Sequence, residues 1–364
     1  MNRRQCLALG LAWPWWFDAR GVPNRAALTF PRDLGSHPEY AIEWWYLTGQ
    51  LLAGPRRFGF QLTFFRSRVP QTQGMRSAFA AKQLIFAHAA VTDVAGLRHL
   101  HDQRIGRASG ETALDLARAS TSDTDVQLTN WRLLREGSTY LAQASGSGFS
   151  FQLALRETQA RLLQGDQGWS RKGPGAAQAS HYYSLPQLSA SGQLQLAGDP
   201  LKVQGQAWLD HEWCQSLMPP NAVGWDWIGM NLTDGSALTA FRLRTSTGES
   251  LWAGGSFRAA GQSSPEVFEP EAVVFTAGRT WKSPASGSTY PVEWFVFVTH
   301  ADRGNSPGPK RYRVRAVIDH QELDSRASTG AIYWEGLSEL LNDHGQVIGQ
   351  GYLEMTGYSS PLRL

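Results

Sequence analysis

Short apolar runs of strand length, separated by tight-turn signals, fill most of this chain and limit what it can fold into. The runs alternate in polarity or carry aromatic and β-branched residues, which favour strands; they include residues 58–65, 84–92, 149–155, 228–232, 237–243 and 294–299. Turn signals lie between such runs, at 53–55, 93–96, 234–235, 247–248 and 342–345. We therefore predict an all-β fold of antiparallel strands arranged as barrels or sandwiches.

The length of 364 residues allows two domains. A polar, glycine-rich stretch at 156–180 and a break at 198–200 mark a change in composition, and such segments are typical of connections. We place the division between residues 198 and 199. Each half then has about the size of a small ligand-binding β-barrel, which gives a barrel over 28–198 and a second over 199–364.

The first 27 residues have the features of an export signal. Arg3 and Arg4 precede an apolar run at 7–17, which is typical of a signal of twin-arginine type. We expect export, with a periplasmic location; the alternative is a cytoplasmic protein that associates with the membrane. Removal of this segment would take Cys6 with it and leave Cys214 as a single thiol, so no disulfide framework is expected.

The composition indicates the class of partner. Lys and Arg number 34 against 31 Asp and Glu, a formal net charge of +3, and this balance argues against a nucleic-acid partner. The chain also contains 15 tryptophans and only 18% charged residues. We expect an apolar small molecule as ligand, and association with a membrane surface or a lipid transporter is a further expectation.

Candidate site residues lie where ionisable groups neighbour large aromatic side chains. Aromatic walls supply area for burying an apolar ligand, and a few polar groups orient it. The ligand-binding candidates are Glu43, Trp45, His88, Tyr183, Trp213, Trp225, Trp227 and Glu354. His88 lies in an apolar run, where a core histidine is the alternative interpretation. The catalytic candidates are Asp210, His211, Glu212 and Asp226.

The segment 208–213 is the most informative of these. On a strand, Asp210 and Glu212 point to one face while His211 and Trp213 point to the other. Either the two carboxyl groups or the histidine and tryptophan face a pocket, and the sequence leaves this open. A third interpretation is a buried salt-bridge cluster that ties strands together. A carboxyl group beside an apolar wall loses solvation, which raises its pKa and makes it a proton donor near neutral pH.

No signal for a cofactor or a metal is present. The sequence has no HExxH spacing, P-loop, GxSxG element or GxGxxG motif following a strand, which are the common metal, phosphate, hydrolase and dinucleotide signatures. We therefore predict no cofactor and no metal.

Eight segments taken in order resemble one family. They are EWWYLTG (43–49), FGFQLTFFR (58–66), FAHAAVTD (86–93), HYYSL (181–185), GQAWLDHEW (205–213), GWDWIGMNLTDG (224–235), TWKSPASGSTYPVEW (280–294) and YWEG…GQGYLEMTGY (333–358). The set resembles the carotenoid 1,2-hydratase (hydroxyneurosporene synthase) and AttH-like family, in its branch of exported, lipocalin-like "predicted secreted hydrolases". The resemblance implies two consecutive lipocalin-like (calycin-type) β-barrels with an apolar ligand site associated with their interface.

The resemblance also implies a chemistry, which is addition of water to an isolated carbon–carbon double bond without a cofactor. An acid protonates the alkene, aromatic faces stabilise the carbocation, and a base assists the attacking water. The matching segments offer Asp210 or Asp226 as acid and His211 as base, with Trp213, Trp225 and Trp227 as the aromatic wall. The run 237–244 lacks the tyrosine and aspartate expected of true hydratases. A non-catalytic periplasmic carrier of lipid or isoprenoid is therefore the alternative function, and a hydrolase is the third.

Overall fold

The computed structural model describes residues 25–110, 115–216, 218–300 and 309–362. The export signal expected over residues 1–27 lies almost entirely outside these ranges. Among the residues that are described, no helix is long and apolar enough to cross a bilayer. Helical structure there consists of the short 3-10 segments Arg32–Leu34, Pro70–Thr72 and Pro270–Ala272. The prediction of an all-β fold is confirmed.

The first half of the chain forms one antiparallel sheet, with β4-β3-β2-β1-β13-β12-β9-β8-β7-β6-β5 as the order of neighbours and β10 and β11 paired with β12. Its strands are β1 (Ile42–Ala53), β2 (Arg56–Arg68), β3 (Gln83–Asp93), β4 (Arg98–Ala108), β5 (Ala117–Ala119), β6 (Asp125–Leu128), β7 (Trp131–Glu136), β8 (Thr139–Gly146), β9 (Phe149–Arg156), β10 (Leu162–Leu163), β11 (Trp169–Arg171), β12 (Ala179–Gln195) and β13 (Leu201–Cys214).

The second half forms another antiparallel sheet, ordered β17-β16-β15-β14-β25-β24-β22-β21-β18, with β23 paired to β24. Its strands and those of a separate two-stranded ribbon, β19 with β20, are β14 (Gly224–Leu232), β15 (Ala237–Arg244), β16 (Ser250–Arg258), β17 (Glu266–Phe268), β18 (Val273–Ala277), β19 (Thr280–Lys282), β20 (Thr289–Pro291), β21 (Glu293–Val298), β22 (Lys310–Ala316), β23 (Glu322–Asp324), β24 (Ile332–Leu341) and β25 (Val347–Met355).

Each sheet curls until its two edges approach each other. In the first, the edge strands β4 and β5 are in contact, and in the second β18 lies against β15 and β16. Curling is the solution for a long twisted sheet with one apolar face, since closure buries that face on itself. The molecule thus consists of two consecutive lipocalin-like barrels, as predicted.

Alternation along the strands fills the two barrels. On β2, the side chains of Phe58, Phe60, Leu62 and Phe64 all point into the first barrel and are fully buried there. On β14, Ile228 and Met230 point in the same way into the second barrel. The period of two explains this arrangement, because alternate residues of a strand share one face.

The outer faces of the two barrels pack on each other and form a third apolar cluster. Its members come from both halves of the chain: Tyr46, Leu162, Trp208, Trp227, Ala237, Phe241, Leu337 and Tyr352. Gly229 on β14 permits this close approach, since a Cβ there would collide with the rings of Trp227 and Trp208. Strands β1, β13, β14, β15, β24 and β25 therefore bury residues on the face turned to the other barrel as well as on the face turned inward.

The chain passes from the first sheet to the second between Cys214 and Gly224. The division that the sequence suggested, between residues 198 and 199, falls in the connection between β12 and β13, inside the first sheet. The polar composition there reflects a hairpin turn, because β12 and β13 are antiparallel neighbours paired from His181 to Leu194.

Candidate active site between the two barrels

A cavity of about 320 Å³ lies between the outer faces of the barrels. One wall comes from β1, β2, β3, β12 and β13 of the first sheet, and the other from β14, β15, β24 and β25 of the second. Most of the lining is aromatic or aliphatic: Trp44, Tyr46, Phe65, Phe86, Tyr182, Trp225, Trp227, Phe241, Leu243 and Tyr333. A concave apolar site of this size with a few convergent polar groups suits a small apolar ligand.

Asp210 on β13 contributes a buried carboxyl group to this cavity. Its Oδ1 accepts hydrogen bonds from Trp208 Nε1 at 2.7 Å and from the Ser184 hydroxyl, and its Oδ2 accepts one from the Tyr182 hydroxyl at 2.8 Å. Burial raises the pKa of Asp210 to about 7, against the opposing effect of these three donors. The group is therefore close to half protonated at neutral pH, which is the state required of a general acid.

Two further carboxyl groups, Glu335 on β24 and Glu354 on β25, face the cavity from the second sheet. They are cross-strand partners, and Glu354 is also the partner of Trp227 on β14. Burial raises the pKa of Glu354 to about 8, and burial together with the neighbouring Glu354 raises the pKa of Glu335 well above its usual range. Glu354 is therefore mostly protonated at pH 7 and can donate a hydrogen bond to a ligand, and burial favours the protonated form of Glu335 as well.

Glu212 and Lys172 form an ion pair at the same cavity. The Lys172 ammonium lies 3.0 Å from Glu212 Oε1, which also accepts a hydrogen bond from the Ser180 hydroxyl. The ammonium also lies over the Phe241 ring, 4.4 Å from its centroid. Glu212 and Asp210 are two positions apart on one face of β13, about 7 Å along the strand, so the cavity holds a charged carboxylate beside a protonatable one.

His88 on β3 belongs to the wall and is neutral. Its Nδ1 lies 2.7 Å from the Tyr333 hydroxyl and its Nε2 lies 2.9 Å from the Ser328 hydroxyl. Burial lowers its pKa to about 3. His88 thus joins the two barrels through polar contacts at the cavity's edge, where it is buried and also belongs to the lining.

His211 lies on the opposite face of β13, inside the first barrel. Its Nε2 is 2.9 Å from Glu43 Oε1 and its Nδ1 is 3.0 Å from the Tyr183 hydroxyl. The same Glu43 oxygen is 2.8 Å from His37 Nδ1, and the other Glu43 oxygen is 2.7 Å from Arg66 Nε. The sequence suggested His211 and Asp210 as one catalytic group, but the alternation of the strand separates them.

This buried network pairs acidic groups with basic ones. Burial disfavours a charge on His37, but hydrogen bonds to Asp33 and Glu43 outweigh it and raise its pKa. Burial opposes ionisation of Glu43 as well, yet hydrogen bonds from His211 and His37 lower its pKa well below the usual range. Burial lowers the pKa of His211, and the network pairs the acidic Asp33 and Glu43 with the basic His37 and Arg66.

Three atoms of this network could also hold a metal ion. Among the residues described, the donor atoms of His37, Glu43 and His211 lie within 4.8 Å of one another. Each is already hydrogen-bonded to a neighbour, and Arg66 neutralises the carboxylate. The group is complete as an ion-paired network and needs no metal for its satisfaction.

Trp45, Tyr183 and Trp213 surround this network. Trp45 stacks on the His211 ring with centroids 4.7 Å apart, and Trp213 stacks on the His37 ring at 3.7 Å. All three belong to the core of the first barrel. These three predicted ligand-binding residues therefore lie behind the cavity wall and pack the network, whereas Glu43 belongs to the network and also borders the cavity.

Asp226 on β14 points into the second barrel, away from Trp225 and Trp227. Its Oδ2 is 2.7 Å from Arg242 Nε and 3.0 Å from Arg244 Nε, and its Oδ1 accepts a hydrogen bond from the Tyr358 hydroxyl at 2.8 Å. This is a buried salt-bridge cluster, and Asp226 is not part of the lining of the interface cavity.

Of the predicted site residues, the structure brings seven together at the cavity: Glu43, His88, Asp210, Glu212, Trp225, Trp227 and Glu354. Residues not singled out as candidates complete it, among them Glu335, Tyr46, Tyr182 and Lys172. Glu335 and Tyr182 lie in the same type of aromatic and ionisable segment as the candidates, which is a signal in the sequence. Lys172 lies in a polar connecting segment and gives no such signal.

The chain is similar to a known family over nearly its whole length. The model of the AttH-like family matches residues 21–358. An AttH-like protein of known crystal structure from Nitrosomonas europaea is 42% identical, with 93% of this chain and 99% of that chain covered and a TM-score of 0.83.

More distant structures share the fold. Kievitone hydratase from Nectria haematococca superposes over 94% of this chain and 95% of its own, at 15% identity and a TM-score of 0.69. The protein CghA does so over 94% and 96%, at 11% identity and a TM-score of 0.55. No curated protein matches the sequence.

Proposed function

The chain belongs to the AttH-like family, and from this premise we propose that it is a cofactor-independent hydratase acting on an isolated carbon–carbon double bond. The substrate is an apolar molecule of lipid or isoprenoid type, with carotenoids as one such class, bound between the two barrels. The observation that carries the proposal is the Asp210 carboxyl group, buried against an apolar cavity with its pKa raised to about 7.

The first step is proton transfer from Asp210 to the less substituted alkene carbon. The π electrons form the new C–H bond, and a tertiary carbocation remains on the other carbon. The faces of Trp225 and Trp227, which line the same cavity, stabilise such a cation through their π electrons. Tyr182, Ser184 and Trp208 then hold the Asp210 carboxylate through the hydrogen bonds already present.

Water completes the addition. A water oxygen forms the new C–O bond to the carbocation, and its excess proton passes to a carboxylate. Glu212, kept in place by Lys172 and Ser180, is the acceptor that faces the same side of β13 as Asp210. Exchange of that proton through water restores the acid form of Asp210, so one water molecule is added and no other reactant is consumed.

The name of one structural neighbour supports this proposal. Kievitone hydratase, whose name states a hydration reaction, has the same two-barrel fold.

A non-catalytic carrier of the same ligand is the second candidate, and β15 favours it. This strand presents Phe241 and Leu243 to the cavity, two apolar side chains with no group for proton transfer.

The test begins with extraction of the purified protein by organic solvent and mass analysis of any bound apolar compound. The compound, and separately lycopene and neurosporene, are then incubated with the protein. We expect products heavier by one water, and a rate at least about 100-fold lower in Asp210→Asn. Asp343→Asn, at an exposed ion pair with Arg311, is the matched control and should retain the rate.

Two results separate the candidates. Ligand that binds and remains unchanged in both the natural protein and Asp210→Asn supports the carrier. An empty protein that neither binds nor converts any of these compounds contradicts both.

A further inference from the structure

One exposed apolar surface adjoins the mouth of the interface cavity. The loop from Val69 to Lys82 connects β2 to β3 at the end where Phe65 and Phe86 line the cavity. On this loop Phe79 is 66% exposed and Met75 is 51% exposed. Large apolar side chains at this exposure on a loop tip need a partner more often than scattered surface residues do.

The loop holds these side chains outward because its base is fixed. The Val69 amide donates to the Lys82 carbonyl, and the Gln73 side-chain amide donates to the carbonyls of both Val69 and Lys82. The hydroxyl of Thr72 donates to the Ala81 carbonyl. The tip, including Met75 and Phe79, therefore projects from a closed base.

The apolar surface continues from the loop into the cavity. The Arg107 guanidinium lies over the Phe79 ring, 5.2 Å from its centroid. On the same face of β4, the neighbouring Ile105 is 51% exposed and is the cross-strand partner of Phe86. Phe86 is in turn the partner of Phe65, and both line the cavity. Ile105, Phe86 and Phe65 thus form a row of apolar side chains that leads from the exposed surface to the cavity.

The charges along this loop and the strand residues that flank it have one sign. From Ser67 to Thr92 the sequence contains Arg68, Arg76 and Lys82 and no aspartate or glutamate. Basic side chains around exposed apolar ones match a membrane surface that carries anionic headgroups over a hydrocarbon interior. A protein partner of ordinary composition would not require this combination.

We propose that Phe79, Met75 and Ile105, with the basic residues beside them, dock the protein on an anionic lipid bilayer, so that the apolar ligand enters the cavity directly from the membrane. The proposal rests on the proposed function in assuming an apolar ligand. Docking on a bilayer needs no turnover, so the docking proposal and the proposed hydratase function can fail separately.

Sedimentation of the full chain with lipid vesicles tests the proposal. We expect binding to vesicles of phosphatidylcholine with phosphatidylglycerol, and weaker binding to phosphatidylcholine alone or at high salt. The double variant Phe79→Ser, Ile105→Ser should lose about tenfold or more in partition. Leu97→Ser is the matched control. Leu97 is 71% exposed in the turn between β3 and β4, at the other end of these strands from the loop that carries Phe79.

A second measurement distinguishes ligand binding in the cavity from docking at the exposed surface. Binding of N-phenyl-1-naphthylamine, an apolar fluorophore, should be the same in solution for the natural protein and the double variant. Asp210→Asn should still sediment with vesicles, whatever its turnover.

Three outcomes overturn the proposal. One is an absence of vesicle binding by the natural protein, and another is an equal loss in Leu97→Ser. The third is a double variant with unchanged vesicle partition but a smaller mass by light scattering, which would make the surface a contact between copies of this chain.

Discussion

Asp210 and His211, adjacent on β13, face two different compartments. The Asp210 carboxyl accepts a hydrogen bond from Tyr182 at the cavity between the barrels, whereas the His211 imidazole contacts Glu43 inside the first barrel. The strand between them acts as a wall, so the two side chains cannot touch one substrate. The proposed role of Asp210 as proton donor is therefore tested by turnover. The role of His211 in the buried ion-paired network is tested by stability.

The pH dependence of turnover should follow Asp210. Its pKa is raised to about 7 by burial, and the donor must be protonated to act. We expect the turnover rate to be constant at lower pH and to fall as pH rises through about 7. Measurements of kcat/KM from pH 5.5 to about 8.5 check this, because kcat/KM reports the pKa of the ligand-free protein, and a kcat/KM that increases over that range would assign the chemistry to a different group.

Removing a hydrogen-bond donor to Asp210 should move this profile. The hydroxyls of Tyr182 and Ser184 favour the ionised carboxylate and so hold its pKa down. In Tyr182→Phe and in Ser184→Ala, we expect the fall in rate to shift to higher pH, because desolvation then acts with less opposition. Tyr358→Phe, which removes a hydrogen bond to Asp226 in the second barrel, should leave the profile unmoved.

The stability of the protein should decrease as pH rises from about 6.5 to 8. Glu354, with a pKa of about 8, and Asp210, with a pKa of about 7, hold protons in the folded state that the unfolded chain, with carboxyl pKa values of about 4, has released. Stability therefore falls with rising pH wherever the folded state binds more protons than the unfolded chain, and the fall ends once pH passes the folded pKa.

Urea unfolding at several pH values measures this slope. Glu354→Gln should have a flatter dependence than the natural protein over the same range. Burial lowers the pKa of His88 to about 3. This shift changes the free energy of unfolding only at pH below about 6.5, so it does not contribute to the slope above that pH. An identical slope in the variant would show that Glu354 is ionised in the folded protein.

His211→Ala should destabilise the fold while sparing the chemistry. The change removes one of several hydrogen bonds to Glu43 and leaves the buried Tyr183 hydroxyl without its His211 partner, and a buried polar group left unsatisfied costs about 1–3 kcal/mol of unfolding free energy. Turnover per folded molecule should stay within a few-fold of the natural protein. Loss of turnover at full stability would place His211 in the catalytic machinery after all.

Asp226→Asn should behave in the same way in the second barrel. It leaves the guanidinium groups of Arg242 and Arg244 without their carboxylate, and we expect a loss of about 3 kcal/mol or more in unfolding free energy. Thermal unfolding and the turnover rate, measured on one preparation, separate this structural role from a catalytic one.

The sequence by itself predicts the all-β class, the two barrels and the type of residue at the site. Strand alternation decides which side chains share a face, so the local sequence alone correctly pairs Asp210 with Glu212 and His211 with Trp213. The aromatic segments that contain Asp210, Trp225, Trp227 and Glu354 also mark the cavity.

Only the tertiary structure decided which face of each strand meets the other barrel. Asp210 and Glu354 are 144 residues apart by their numbers in the sequence, and their common site exists because the outer faces of β13 and β25 are desolvated against each other. The alternation of side chains along a strand, with a period of two residues, is a local property that a few consecutive residues determine. Desolvation, which turns a surface carboxylate into a proton donor, depends on long-range packing, and no local pattern specifies it.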